Sequence, residues 1–212
     1  MKTEALIREL VADSVRPITP LLCRLFRGAL GGTAFAVVLF VGWMHARSDL
    51  SQAFRSPAFV HKLVVAALLA ATAGSLLPQM ARPLPASILR YSVLLIAPAL
   101  LAIGVGVELW MQPTSLWLPR LVGHNAGRCL SSIPFLAAGP ATGLLIALRS
   151  GAPAHPTSAG AIAGLASGAV GAMLYALTCP DDSPLFVATW YTIAIAVVMS
   201  VTACAGRQLL RW

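Results

Sequence analysis

Charge is scarce in this chain of 212 residues: 10% are charged and 58% apolar, against about 25% charged in soluble domains. That balance excludes an ordinary water-soluble globule. Acids are rarer than bases, seven Asp and Glu against fifteen Lys and Arg, for a net charge of +8. The bases are scattered in ones and twos around apolar runs, where they fix orientation rather than track a phosphate backbone. No direct nucleic-acid binding is expected. The four cysteines include no Cys-x-x-Cys pair, the arrangement that gives thiol oxidases a low-pKa thiolate. Long polar stretches are missing as well, which leaves no room for a separate soluble domain.

Long apolar runs are what the chain has instead. Windows of about 18 residues or more without charge suffice to cross a hydrocarbon core of about 30 Å. Apolar stretches between turn signals predict spans near 28–45, 59–77, 91–110, 129–148, 159–177 and 186–206. The predicted fold is an all-α integral membrane protein with six transmembrane helices and a short cytoplasmic amphipathic N-terminal helix. Residues 1–27 form the cytoplasmic segment and residues 28–212 the membrane domain. The first run follows a polar segment carrying both charge signs, unlike a cleaved signal peptide.

Orientation follows from Lys and Arg, which are retained on the inner side. Lys2, Arg8, Arg16, Arg24, Arg27, Arg82, Arg90, Arg149, Arg207 and Arg211 share one side, and Arg47, Arg55, Lys62, Arg120 and Arg128 the other. Both termini are therefore expected in the cytoplasm. Cys129 and Cys179 then lie together at the outer surface, while Cys23 falls in the cytoplasmic tail and Cys204 near the inner end of the last span.

Several chemistries are poorly served. Glu108 is the sole acid near a span interior and lies close enough to an outer end to reach the interface, so no proton relay is expected. Gly164-Leu-Ala-Ser-Gly168 superficially suggests an intramembrane serine protease, yet the last two spans contain no His to activate that serine. For a metal, Cys129, Cys179, His124 and Asp181, with Asp182 nearby, are the candidate ligands, since thiolate with imidazole suits a soft cation. No single loop has structural zinc spacing. The cysteine pair itself reads equally as a redox switch or a constitutive staple. No cofactor is implied. A membrane thiol-disulfide oxidoreductase and a small transporter remain the alternatives.

Two further features bear on partners. Leu6, Ile7, Leu10, Val11 and Val15 line one side of a predicted helix over residues 3–16, with Glu4, Arg8, Glu9 and Asp13 mostly elsewhere. Such a ridge suits docking into a protein groove or lying along the bilayer. In the fifth span, Gly160, Gly164, Gly168 and Gly171 form a smooth stripe for close helix packing, within the protomer or in a homodimer.

The opening residues 1–13, the segments Arg128-Cys-Leu-Ser-Ser-Ile-Pro134 and Ala147-Leu-Arg-Ser-Gly-Ala-Pro153, the block from Cys179-Pro-Asp-Asp-Ser-Pro to Tyr191, and the ending Gly206–Trp212 together resemble the NrsF-like family. That family comprises six-span inner-membrane anti-sigma factors of proteobacteria. The resemblance implies a cytoplasmic face that holds an extracytoplasmic-function sigma factor inactive. It also implies release on oxidant or heavy-metal stress outside the inner membrane, with Cys129 and Cys179 required. On this reading a shift of the fourth span against the fifth travels along the small-residue groove to the tail helix.

Overall fold

In a computed structural model the chain is described over residues 20–82 and 88–210, apart from the side chain of Ile88. The described residues form helices joined by short turns, without a strand. Six helices are long and apolar enough to cross a membrane: α1 Leu21–Trp43, α2 Pro57–Met80, α3 Leu89–Met111, α4 Ala126–Leu148, α5 Pro156–Ala176 and α6 Pro184–Leu209. The six predicted spans are all present. The predicted tail helix over residues 3–16 lies outside the described residues.

The largest difference is at α1, which begins at Leu21 rather than near Gly28. Leu21, Leu22, Leu25 and Phe26 continue the apolar pattern ahead of Gly28, and Arg24 and Arg27 sit exposed among them, where long basic side chains can reach the bilayer surface. Cys23 thus belongs to α1 and not to a tail. Proline marks the irregular turns. Ser92–Leu95 in α3 is a 3-10 turn just before Pro98, the residue that cannot donate to the carbonyl of Leu94. α6 opens with a π-helical segment, Val187–Tyr191, a form that occurs often at functional sites.

α5 is the central helix: 72% of its apolar window is buried inside the protein, against 11% for α3. Its glycine stripe is used within the protomer. A Cβ on Gly160 or Gly164 would run into Thr202 of α6, and one on Gly171 would meet the Ile133 carbonyl oxygen of α4 at 2.7 Å. The stripe is therefore spent on α6 and α4, which leaves the homodimer expectation without that surface. A second close approach joins α1 to α4. α1 and α4 meet backbone to backbone, Gly28 against Gly143 and Gly32 against Gly139, with no room for a side chain at any of the four.

Two apolar clusters fill the bundle. One, around Leu25, Leu76, Leu144, Leu148 and Ile162, lies at the end where α1 starts. The other, around Phe40, Ile133, Tyr175, Phe186 and Tyr191, lies at the opposite end and encloses Cys129 and Cys179.

Candidate functional site: a buried thiol pair in an ion-pair cluster

Cys129 stands in the first turns of α4, and Cys179 follows the end of α5. The sequence places both thiols at a surface; the fold buries them, with Cys129 0% and Cys179 2% exposed. The reason is aromatic packing. Tyr175 and Tyr191 stand 5.9 Å apart, Phe186 and Tyr191 6.2 Å, and these rings close over both cysteines. Both are free thiols. Burial pushes the Cys179 thiol above its ordinary range, opposed by the charge of Lys62 and by a hydrogen bond with Tyr175. A thiol kept protonated in apolar surroundings is a poor nucleophile.

The polar residues around the pair are joined in three knots. In the first, one oxygen of Asp181 accepts from the backbone N–H of His124 (3.1 Å) and from the backbone N–H and side-chain amide of Asn125 (2.9 and 3.0 Å). Asn125 is the N-cap of α4, so the carboxylate supplies a missing acceptor where the helix dipole favours negative charge. This knot ties the Cys179 loop to the helix that carries Cys129.

The second knot is the ion pair of Asp182 with Lys62 (2.5 Å) and Arg47 (2.8 Å). Lys62 is buried on α2, 1% exposed, and its ammonium also donates to the carbonyls of Cys179 (3.0 Å) and Asp181 (3.4 Å). Rings of Phe59 and Tyr191 lie 5.4 and 5.9 Å from the charge, within cation–π range. Arg47 also pairs with Asp49, which together with Asp182 raises its pKa further above the usual value against the cost of burial. The same contact lowers that of exposed Asp49.

In the third knot, Glu108 near the end of α3 is buried among protein partners, 7% exposed. It accepts from Arg120 (2.8 Å), from the Ser183 hydroxyl (2.7 Å) and from the Leu185 backbone N–H (2.9 Å), the last at the start of α6. Gly123 in the adjoining loop has φ +56°, and a Cβ there would strike the Phe186 ring, so glycine is required on both counts. Trp190 closes the loop by donating to the Leu121 carbonyl at 2.9 Å.

A cleft of about 740 Å³ leads to Cys179 between α1 and α4, lined by Trp43, Met44, His45, Arg128 and Tyr175. A second cavity of about 810 Å³ is lined by His61, Glu108, Arg120, His124 and Asp181. The four candidate metal ligands do not converge. His124 projects with a 95% exposed side chain, its Nδ1 3.9 Å from Asp181, while the other Asp181 oxygen is taken up by the α4 cap. Among the described residues no three His, Cys, Asp or Glu side chains are placed to hold a metal. Leu6, Ile7, Leu10 and Val11, the candidate partner-binding residues, lie outside the described residues.

Sequence reasoning placed Asp182 near the thiol pair but missed its partners Lys62 and Arg47 as members of this site. Lys62 counted merely as an outer-loop charge, although a lysine so close to the predicted start of an apolar run signals a buried partner. At the opposite end, Arg24, Arg27, Arg82, Arg90, Arg149 and Arg207 are all exposed. The four acids among the described residues, Asp49, Glu108, Asp181 and Asp182, all belong to the thiol end. The bundle is thus strongly polarised in charge.

These features define a multi-pass helical membrane protein with a buried thiol pair inside an ion-pair cluster at one end and an arginine-bearing face at the other. The chain belongs to the NrsF family, negative regulator of sigma F, whose model matches residues 10–212. The protein named "Anti-sigma-F factor NrsF" of Caulobacter vibrioides is 34% identical over 221 residues, covering 100% of both chains. A second relative, "Probable anti-sigma-F factor NrsF" of Azospira oryzae, is 29% identical with the same coverage. No solved structure matches the chain.

Proposed function

We propose that the protein is an inner-membrane anti-sigma factor with both termini in the cytoplasm. It holds an extracytoplasmic-function sigma factor inactive and releases it when the outer thiol pair is oxidised. Family membership supports the regulatory role, and the names of both relatives point to a sigma factor as partner. The observation that carries the sensing role is the placement of two free thiols, one in α4 and one just past α5, in one buried cluster, enclosed by aromatic rings and ion pairs. Charge asymmetry supports the orientation: the arginine face lies inward and the acid-rich end outward.

In the resting state the two thiols are reduced. A two-electron oxidant such as hydrogen peroxide joins Cys129 to Cys179; the peroxide O–O bond breaks, and its two oxygens leave as two waters that carry off both thiol protons. Bond formation draws the start of α4 toward the Cys179 loop. Because α4 meets α1 at Gly28 and Gly32 without intervening side chains, α4 and α1 move together, and α1 leads back to the N-terminal segment. That route replaces the one expected along the α5 stripe, which is engaged with α6. The N-terminal residues Leu6, Ile7, Leu10 and Val11, with the exposed Arg82 and Arg149, form the sigma-factor contact.

Replacement of Cys129 and Cys179 by serine tests the sensing role. Stress should no longer induce the target genes; unaltered induction would refute it. Deletion of residues 1–16 tests the contact: the protein should stay in the membrane and lose inhibition.

A further inference from the structure

Buried, protonated thiols react slowly, so a sensor built from them needs a device that sets how readily the Cys179 loop opens. Lys62 is placed to be that device. An ammonium has three N–H groups, and here their acceptors all lie on one short segment: the carbonyl of Cys179, the carbonyl of Asp181 and the carboxylate of Asp182. The clasp reaches across from α2, more than a hundred residues away in sequence. It holds the backbone of Cys179 itself. Arg47 secures the same turn from the other side through Asp182 and through its backbone N–H to the Leu177 carbonyl at 3.0 Å.

We propose that Lys62 is a positioning residue of the thiol pair, a clasp whose grip on residues 179–182 sets the reactivity of Cys179. The proposal rests on the reading of the pair as the sensor, but its test does not. Removing Lys62 leaves Asp182 paired with Arg47, so no carboxylate is stranded, while the Asp181 carbonyl loses this donor and the Cys179 carbonyl keeps only the longer contact from Arg47 at 3.5 Å. Opening of the turn becomes easier by the equivalent of one or more hydrogen bonds to a charged group.

The experiment is alkylation of the full-length protein in detergent micelles by a maleimide, with the rate at Cys179 read by peptide mass spectrometry. Lys62→Met should raise that rate on the order of tenfold or more. Lys62→Arg, which restores a buried donor cation, should return it to within about twofold of wild type. Asp182→Asn, which removes the carboxylate shared by Lys62 and Arg47, should also raise it and serves where Lys62→Met does not accumulate. A Lys62→Met protein alkylated at the wild-type rate overturns the clasp. So does a rise that Lys62→Arg fails to reverse, because that marks general loosening. Cysteine-independent induction in cells would refute the sensor reading and leave the alkylation result standing.

Discussion

Asp181→Ala should uncouple the two cysteine-bearing segments. One carboxylate oxygen of Asp181 accepts three N–H groups from His124 and Asn125, the two residues just ahead of α4, Asn125 being its N-cap. A hydrogen bond to a charged acceptor contributes about 1.5–3 kcal/mol, and loss of a helix cap costs about 0.5–2 kcal/mol. The three bonds share one oxygen, and His124 can turn to water, so they do not add; a net loss of about 2–4 kcal/mol is expected. For a chain of this size that corresponds to a fall in Tm on the order of 5–15 °C. The assay is thermal unfolding in detergent micelles, with Asp181→Asn alongside. The asparagine retains an oxygen acceptor and should show a smaller drop. A Tm within about 1 °C of wild type for Asp181→Ala would refute the view that this carboxylate caps α4 and fastens the Cys179 loop to it.

Gly143→Leu should force α4 from α1, since the added side chain meets the Gly28 backbone; a cost of about 1–3 kcal/mol is expected, with inhibition of the sigma factor lost even without stress, read by a target-gene reporter. Glu108→Ala should strand Arg120 and the start of α6; Arg120 is partly exposed, so a loss of about 1–3 kcal/mol is expected, seen as faster amide exchange over residues 112–125. Burial holds the Cys179 thiol above the ordinary range, so the folded state favours the protonated form and the thiolate appears only as pH rises. Alkylation at Cys179 should therefore still be climbing at about pH 9, where a free cysteine is mostly ionised; a plateau below that value would show that burial does not protect it. Cys23→Ser and Cys204→Ser should leave induction unchanged, since both residues are exposed at the far end of the bundle.

Much of the fold was legible in the sequence because a bilayer leaves few choices: each apolar run must become a helix that satisfies its own backbone. What failed was the treatment of residues at the ends of runs. Arg24 and Arg27 read as a boundary, yet their helical neighbours Leu21, Leu22, Leu25 and Phe26 extend α1 past them. Lys62 and Glu108 read as interfacial charges because a linear sequence does not reveal their partners. Asp182, Arg120 and Ser183 lie from 12 to 120 positions away, and only tertiary packing brings them in. The cysteine pair was legible as a pair, from symmetric positions at the ends of α4 and α5. Its burial was not, because the aromatic lid comes from Tyr175, Phe186 and Tyr191, two of them in α6. The α1–α4 contact was carried by four glycines in two runs, each pair four residues apart, a pattern as regular as the α5 stripe but split between distant segments.

The central claim, an outward-facing thiol pair that closes on oxidation, is tested most directly by labelling intact cells with an impermeant thiol reagent after brief exposure to peroxide. Cys129 and Cys179 should be reached from outside, slowly, in unstressed cells, and should become refractory together after oxidant, with reactivity restored by reductant. Cys23 and Cys204 should stay unlabelled until the membrane is opened. Labelling of Cys129 and Cys179 only in opened cells, or their continued independent labelling after oxidant, would contradict the account.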